Sequence, residues 1–169
     1  MFRKLKIDNT YFQVEIIQKT PNSVDSVKII MPIFLMTDAS INLAKIAVES
    51  LLKIKSEKNY EIWLIDNCSP KKNLEWFLNH NKVNLICNST IPIQRIKKEK
   101  PLRTLLFNFY FGNSKRKLQM KDGSYANAIG YEIALKVINN NTRYVFAVQS
   151  DTLITKQHFL DFMLSKLNN

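Results

Sequence analysis

Four short runs of apolar residues, separated by stretches with helical periodicity, constrain the fold of this chain more than any other feature. Each run is almost continuously apolar and rich in β-branched or aromatic residues, which is typical of strands covered on both faces, as in a parallel sheet. Alternation of strands with helices then predicts right-handed crossovers between neighbouring strands. The predicted strands span residues 27–34, 60–65, 83–87 and 143–148.

Apolar residues between these runs recur every three to four positions, which predicts amphipathic helices. We expect Asp38 to be the N-cap of the first of them. Residues 7–18 alternate only weakly between apolar and polar, which favours an edge strand or an arm. The pattern as a whole predicts an α/β, Rossmann-like fold with a mostly parallel sheet and helices on both faces. The predicted helices span residues 39–55, 74–78, 125–138 and the segment that follows Thr155 as a cap.

The length of 169 residues indicates one domain, residues 1–169, with a core formed by residues 27–89 and 125–167. Hydrophobic residues make up 46% of the chain, which excludes a disordered polycation despite the net charge of +11. No apolar run is long enough to span a membrane, and none follows the basic N-terminus as a secretory signal would require. Two cysteines are too few for a disulfide framework, so we expect reduced thiols in a cytoplasmic protein.

Acidic residues follow two of the predicted strands: Asp66 and Asn67 end the second run, and Asp151 follows the fourth. In an open α/β sheet, ligands bind at the carboxyl ends of the strands, so these side chains are expected in one crevice. One carboxylate would accept hydrogen bonds from a ribose or base, and the other would hold a divalent metal on a diphosphate. The alternative is that these residues only form turns and helix caps.

The order and spacing of these segments resemble the nucleotide-sugar glycosyltransferases of the GT-A fold, family 2 type. The resemblance covers residues 27–167. The run that contains Pro32 is similar to the first strand of that family, and residues 61–69 are similar to its strand ending in Asp-Asn-Gly-Ser. Residues 144–151 resemble the strand that ends in its Asp-x-Asp motif, and residues 125–134 lie where it has an Ala- and Asn-rich helix with a Gly.

The resemblance implies a domain that binds a nucleotide diphosphate sugar and transfers the sugar, with inversion, to an acceptor. Asp66 and Asn67 would contact the nucleotide, and Pro32 and Phe34 would line the base pocket. Asp151 would contact the sugar nucleotide through a bound Mg²⁺ or Mn²⁺ ion on the diphosphate. The metal would stabilise the leaving diphosphate.

The sequence departs from the family pattern in three ways. Gln149 replaces the first carboxylate of Asp-x-Asp, and Cys68 replaces the usual glycine. Domains of this family also continue well beyond the metal-binding strand, so we expect the nucleotide-binding half without the acceptor half. The other carboxylates considered as a catalytic base, Glu132 and Asp161, fall on predicted helices, so the base is not assigned. The alternative function is a non-catalytic binding module that acts with a partner subunit or at a membrane surface.

Residues 90–124 form a basic insertion in the predicted fold. Residues 95–122 include nine Lys or Arg residues and only two acidic ones, so +7 of the net charge of +11 lies there. Three interpretations remain open: a solvated loop, a patch for an anionic membrane or lipid-phosphate acceptor, and a nucleic-acid site. The absence of a recognised nucleic-acid motif argues against the third. Salt-sensitive binding to anionic vesicles would place the protein peripherally at the membrane.

Overall fold

The computed structural model describes residues 1–92, 123–138 and 141–167, which form one six-stranded sheet with four α-helices. A short 3₁₀ turn, Lys71–Leu74, leads into the second helix. The strands are β1 (Phe2–Ile7), β2 (Thr10–Ile17), β3 (Val27–Ile33), β4 (Tyr60–Asn67), β5 (Val83–Asn88) and β6 (Val145–Ala147). The helices are α1 (Asp38–Leu52), α2 (Glu75–Leu78), α3 (Gly123–Val137) and α4 (Phe159–Leu167).

The strand order is β1-β2-β5-β4-β3-β6, and the four strands from β5 to β6 are mutually parallel. This confirms the predicted α/β fold with a mostly parallel sheet. The prediction of an edge strand or an arm for residues 7–18 is wrong: most of them form β2, which pairs antiparallel with β1 on one side and with β5 on the other, so β1 is the edge strand. Asp8 in its turn has a φ of 50°, a left-handed conformation that Asp tolerates better than most residues.

Helices cover both faces of the sheet, as the sequence predicts. One core lies between the sheet and α1, α2 and α4, and its most buried members include Ile29, Val48 and Phe77. The other lies under α3, where Ile133 packs with Trp63 of β4 and residues of the hairpin. Because β3 and β4 are buried on both faces, eleven of their fifteen residues are apolar or aromatic.

Two helix starts differ from the prediction. The N-cap of α1 is Thr37 and not Asp38: the Thr37 hydroxyl accepts from the backbone N–H of Ser40 at 3.2 Å, and the Ser40 hydroxyl accepts from the N–H of Thr37 at 3.0 Å. Asp38 instead occupies the first turn, where its charge complements the helix dipole. Thr155 is not the cap of the last helix, because α4 begins four residues later, at Phe159.

A buried ion pair joins β3 to β4 under α3. Lys28 and Glu61 lie 2.6 Å apart with side chains 0% and 6% exposed. The Lys28 ammonium also donates to the carbonyl of Ser23 and the hydroxyl of Ser26, while Trp63 donates its indole N–H to the other oxygen of Glu61 at 3.1 Å. Every donor of the ammonium therefore has an acceptor, which a buried charge requires.

In the ranges that the structure describes, no helix has the length and apolar character needed to cross a bilayer. Most of the predicted basic insertion, residues 93–122, lies outside the described residues. Its three interpretations therefore remain predictions.

Candidate functional site

The strand order reverses at β3, and the reversal opens a crevice at the carboxyl edge of the sheet. From β3 the chain moves outward to β4 and β5, and it then returns to place β6 on the other side of β3. Loops that follow β3 and β6 diverge at such a point, which is where open α/β sheets bind ligands. The segments predicted to carry the site, 32–34, 66–67 and 149–151, all lie at this edge.

Pro32 separates β3 from β6 at the crevice. The Val148 N–H donates to the Ile30 carbonyl at 3.0 Å, so the parallel ladder would next require an N–H at position 32 to bond to the Val148 carbonyl. Proline has no N–H. The Tyr131 hydroxyl of α3 donates to that carbonyl instead, at 3.0 Å. The proline thus ends the ladder, and the tyrosine satisfies the acceptor that is left.

The first half of α3 forms one wall over the carboxyl ends of β3 and β4. Gly130 allows this approach, because a Cβ atom at that position would lie 2.9 Å from Cβ of Pro32 and 3.2 Å from Nδ2 of Asn67. The Asn67 amide donates to the Ala126 carbonyl at 2.9 Å and accepts from the Asn88 amide at 3.4 Å. Asn67 therefore anchors α3 to the strand ends, whatever contact it makes with a ligand.

Asp66 is the penultimate residue of β4, and its side chain lies on the opposite face from Asn67, because successive residues of a strand alternate. Asp66 is 2% exposed, and its carboxylate accepts from the Ser69 N–H at 3.1 Å. The Ser69 hydroxyl accepts from the Leu35 N–H at 2.7 Å, and Asn73 donates to the Leu35 carbonyl at 2.6 Å. These bonds fix the loop after β3, which carries the half-buried Phe34, to the loop after β4.

Asp151 lies in the exposed turn after β6, close enough to Tyr131 to influence the pKa of its hydroxyl. Burial and the negative charge of Asp151 both raise the pKa of Tyr131. Gln149 is exposed in the same turn, where its N–H donates to the Thr152 hydroxyl at 3.3 Å. The β6 turn and the α3 wall are thus linked through Tyr131.

The predicted metal ligand, Asp151, suits a divalent ion that is held jointly by the protein and by a bound diphosphate. In the described ranges, no three His, Cys, Asp or Glu side chains cluster as a metal cage. Magnesium is commonly held by one or two carboxylates together with substrate phosphates and water. The exposed carboxylate of Asp151 suits that arrangement, in which the ion binds with the diphosphate and not before it.

The two carboxylates weighed as a catalytic base lie elsewhere. Asp161 of α4 accepts from the Ser56 hydroxyl at 2.5 Å and from the Glu57 N–H at 3.2 Å, so it holds the loop that leads to β4. It also lines a cleft of about 1060 Å³ at the amino edge of the sheet, together with Asp25 and Arg143. Glu132 is exposed on α3. The large cleft lies at the wrong end of the strands for the predicted site.

Both cysteines lie beside the site at the ends of β4 and β5. Cys68 has a φ of 66°, a conformation that favours the glycine found there in the resembled family, and its thiol donates to the Asn88 carbonyl at 3.0 Å. Burial, reinforced by the negative charges of Asp66 and Glu15, raises the pKa of the Cys87 thiol to about 12.

Both thiols should therefore resist modification in the folded protein. We expect Ellman's reagent at pH 8 to label neither Cys68 nor Cys87 quickly, because the first is buried and the second stays protonated. In guanidinium chloride two thiols per chain should react at once. Fast labelling of the native wild type that persists in a Cys87→Ser variant and disappears in Cys68→Ser would show that the β4 turn is open.

Comparison with solved structures identifies the fold. Two crystal structures of the S. aureus glycosyltransferase TarS match the chain over 85% of its length at 15% identity, with TM-scores of 0.52 and 0.50. The chain therefore has a GT-A-like glycosyltransferase fold. It spans 19% of one TarS chain and 32% of the shorter one. No protein-family profile and no curated protein sequence matches.

Sequence patterns did not identify two residues of the site. Tyr131 lies within a predicted helix, where nothing in the sequence distinguishes it, and only its bond to a carbonyl 17 residues away reveals its function. Ser69 lies at the end of the segment 61–69 that resembles the family pattern, but the sequence does not show that its hydroxyl joins two loops. The available signal was Pro32: a proline at the end of an internal strand implies that a neighbouring carbonyl needs another donor.

Proposed function

We propose that this domain binds a nucleotide diphosphate sugar in the crevice between β3 and β6 and takes part in glycosyl transfer to an acceptor. The observation that carries the proposal is the position of Asp66 and Asp151 at the carboxyl edge of a GT-A-like sheet, on either side of the strand-order reversal. Pro32 and Phe34 would line the nucleoside pocket. Asn67 would support that pocket from β4.

Each side of the crevice has its own function in this proposal. The buried carboxylate of Asp66 is a directional hydrogen-bond acceptor whose position is fixed by Ser69. Asp151 is a solvated carboxylate that can hold Mg²⁺ or Mn²⁺ against the diphosphate. When bound, the ion supplies charge stabilisation to the leaving diphosphate. Tyr131 positions the backbone of the β6 turn through Val148.

Replacing Asp151 with asparagine tests the metal component. We expect calorimetry with UDP, GDP and dTDP to show binding of at least one of them that Mn²⁺ strengthens in the wild type. In Asp151→Asn this strengthening should fall by at least about tenfold, the order of effect that follows loss of a metal contact. The affinity without metal should change little, because Asp151 meets the nucleotide only through the ion.

Asp25→Asn is the matched control, since Asp25 is an exposed aspartate at the opposite edge of the sheet. It removes the same charge and should leave nucleotide affinity unchanged. Equal losses in both variants would mean that only the overall charge matters. Failure of all three nucleotides to bind the wild type would contradict the proposal.

A non-catalytic binding module is the second candidate function. Gln149 favours it, because an amide replaces a carboxylate of the resembled motif at the β6 turn. Sugar-nucleotide binding without hydrolysis or transfer would support the module, and turnover would support the enzyme. A cytoplasmic location, a partner subunit and attachment of residues 95–122 to an anionic membrane or lipid-phosphate acceptor remain proposals on either account.

A further inference from the structure

A second cleft lies between the first two turns of α1 and the segment 72–76. Its volume is about 490 Å³, which is within the range of small-molecule sites. None of its lining residues belongs to the β3–β6 crevice. Its lining residues are Asp38, Ile41, Asn42, Lys45, Lys72, Asn73, Glu75 and Trp76.

The lining combines one aromatic ring with hydrogen-bonding groups. Trp76 is partly exposed, and the Lys45 ammonium lies 5.7 Å from its ring centroid. Asp38, Asn42 and Lys72 are exposed around the cleft, where their side chains can reach a ligand. The ammonium lies over the face of the ring, and a ligand with one apolar face and a polar perimeter would take its place there while its polar groups bond to the side chains around the ring.

The charge of the lining narrows the ligand class. Lys45 and Lys72 balance Asp38 and Glu75, so the cleft is formally neutral in a chain with a net charge of +11. A phosphate would lack the excess positive charge that selects anions, and a cation would lack excess negative charge. A neutral sugar ring meets all the conditions, because its C–H groups lie on one face and its hydroxyls lie at the edge.

We propose that this cleft is a saccharide-binding subsite separate from the nucleotide crevice. The two are joined by Asn73, which lines the cleft and donates to the carbonyl of Leu35, in the loop after β3. A saccharide held here would lie beside that loop. The proposal goes beyond glycosyl transfer and does not depend on it, since the subsite would bind sugar in the absence of nucleotide.

The two tryptophans make the test direct. Trp63 is 0% exposed in the core, whereas Trp76 faces the cleft, so a ligand-dependent change in tryptophan fluorescence reports on Trp76. We expect glucose, galactose, N-acetylglucosamine or cellobiose to change the emission of the full chain in a saturable way. Asn42→Ala should weaken that binding several-fold. Glu49→Ala, an exposed position of α1 outside the cleft, should leave it unchanged.

Saturation-transfer NMR extends the test to a variant that lacks the fluorescent reporter. Trp76→Phe keeps an aromatic packing residue but has less ring surface than the indole, so it should weaken sugar binding by up to about tenfold, the upper end of what an aromatic contact contributes. The proposal is wrong if no sugar binds, if binding survives both Asn42→Ala and Trp76→Phe unchanged, or if inorganic phosphate binds in place of sugars. Nucleotide affinity measured in the same variants should stay at the wild-type value, which separates failure here from failure at the crevice.

Discussion

Replacing Gly130 with valine should lower the free energy of unfolding by about 2–3 kcal/mol, the size of effect that overpacking causes. A Cβ atom at this position would lie 2.9 Å from Cβ of Pro32, a ring atom in an internal strand that cannot move aside. Asn67, 3.2 Å from the same point, would also be displaced. Because α3 is the wall of the crevice, we expect nucleotide affinity to fall together with stability.

Gly123→Ala is the matched control for this prediction. A Cβ atom at Gly123 would meet nothing within 4 Å, so the substitution brings only the better helix propensity of alanine, up to about 1 kcal/mol. Urea denaturation of both variants measures the difference, and nucleotide calorimetry measures the effect on the site. A Gly130→Val protein as stable as the wild type would show that α3 does not pack against Pro32 as described.

Breaking the Lys28–Glu61 pair should have the largest effect on stability, about 3–5 kcal/mol for either single change. Lys28→Met leaves a buried carboxylate without its cation, and Glu61→Gln leaves a buried ammonium without its anion. The double variant should lose less than the sum of the two, because each single variant leaves the remaining charge uncompensated. Lys58→Met and Glu57→Gln, at exposed positions, should each change stability by no more than about 0.5 kcal/mol.

The same pair makes stability depend on pH. Burial alone would raise the pKa of Glu61, but hydrogen bonds from Lys28, Ser26, Ser23 and Trp63 together hold it below the usual 4.5. A depressed pKa in the folded state contributes stability above pH 4.5 that is lost as the pH falls through the folded-state value. The free energy of unfolding, measured between pH 3 and 7, should therefore change less with pH in Glu61→Gln than in the wild type. The same pH dependence in both proteins would contradict the conclusion that Glu61 makes stability depend on pH.

Local patterns predicted the parallel part of the fold well. Continuous apolar runs indicate the strands β3, β4 and β5, and helical periodicity indicates α1 and α3. The positions of the segments after β4 and β6 follow from where those strands end. Only the second strand of the first hairpin was predicted, because β1 is mostly exposed, has three basic residues among its six and is held by pairing with β2. The cap of α1 was missed by one residue because Thr37 and Asp38 are both good capping residues, and only the Ser40 bonds distinguish them.

The site was harder to predict than the fold because its supporting contacts are distant in sequence. Asn67 bonds to a carbonyl 59 residues away, and Tyr131 bonds to a carbonyl 17 residues away. The residues next to each of these side chains in the sequence do not indicate which distant group it bonds to. The core shows the same difficulty, since Lys28 lies inside an apolar run and pairs with a carboxylate 33 residues away.

The break that Pro32 makes in the β3–β6 ladder has a consequence for the energetics of binding. In a sheet whose strands were paired to their ends, a ligand entering between them would first have to break backbone hydrogen bonds. Here the strands are already parted at the carboxyl edge, and the Val148 carbonyl is satisfied from α3. The crevice is preorganised, so a ligand that enters it does so without the cost of separating strands, and more of its contact energy appears as affinity.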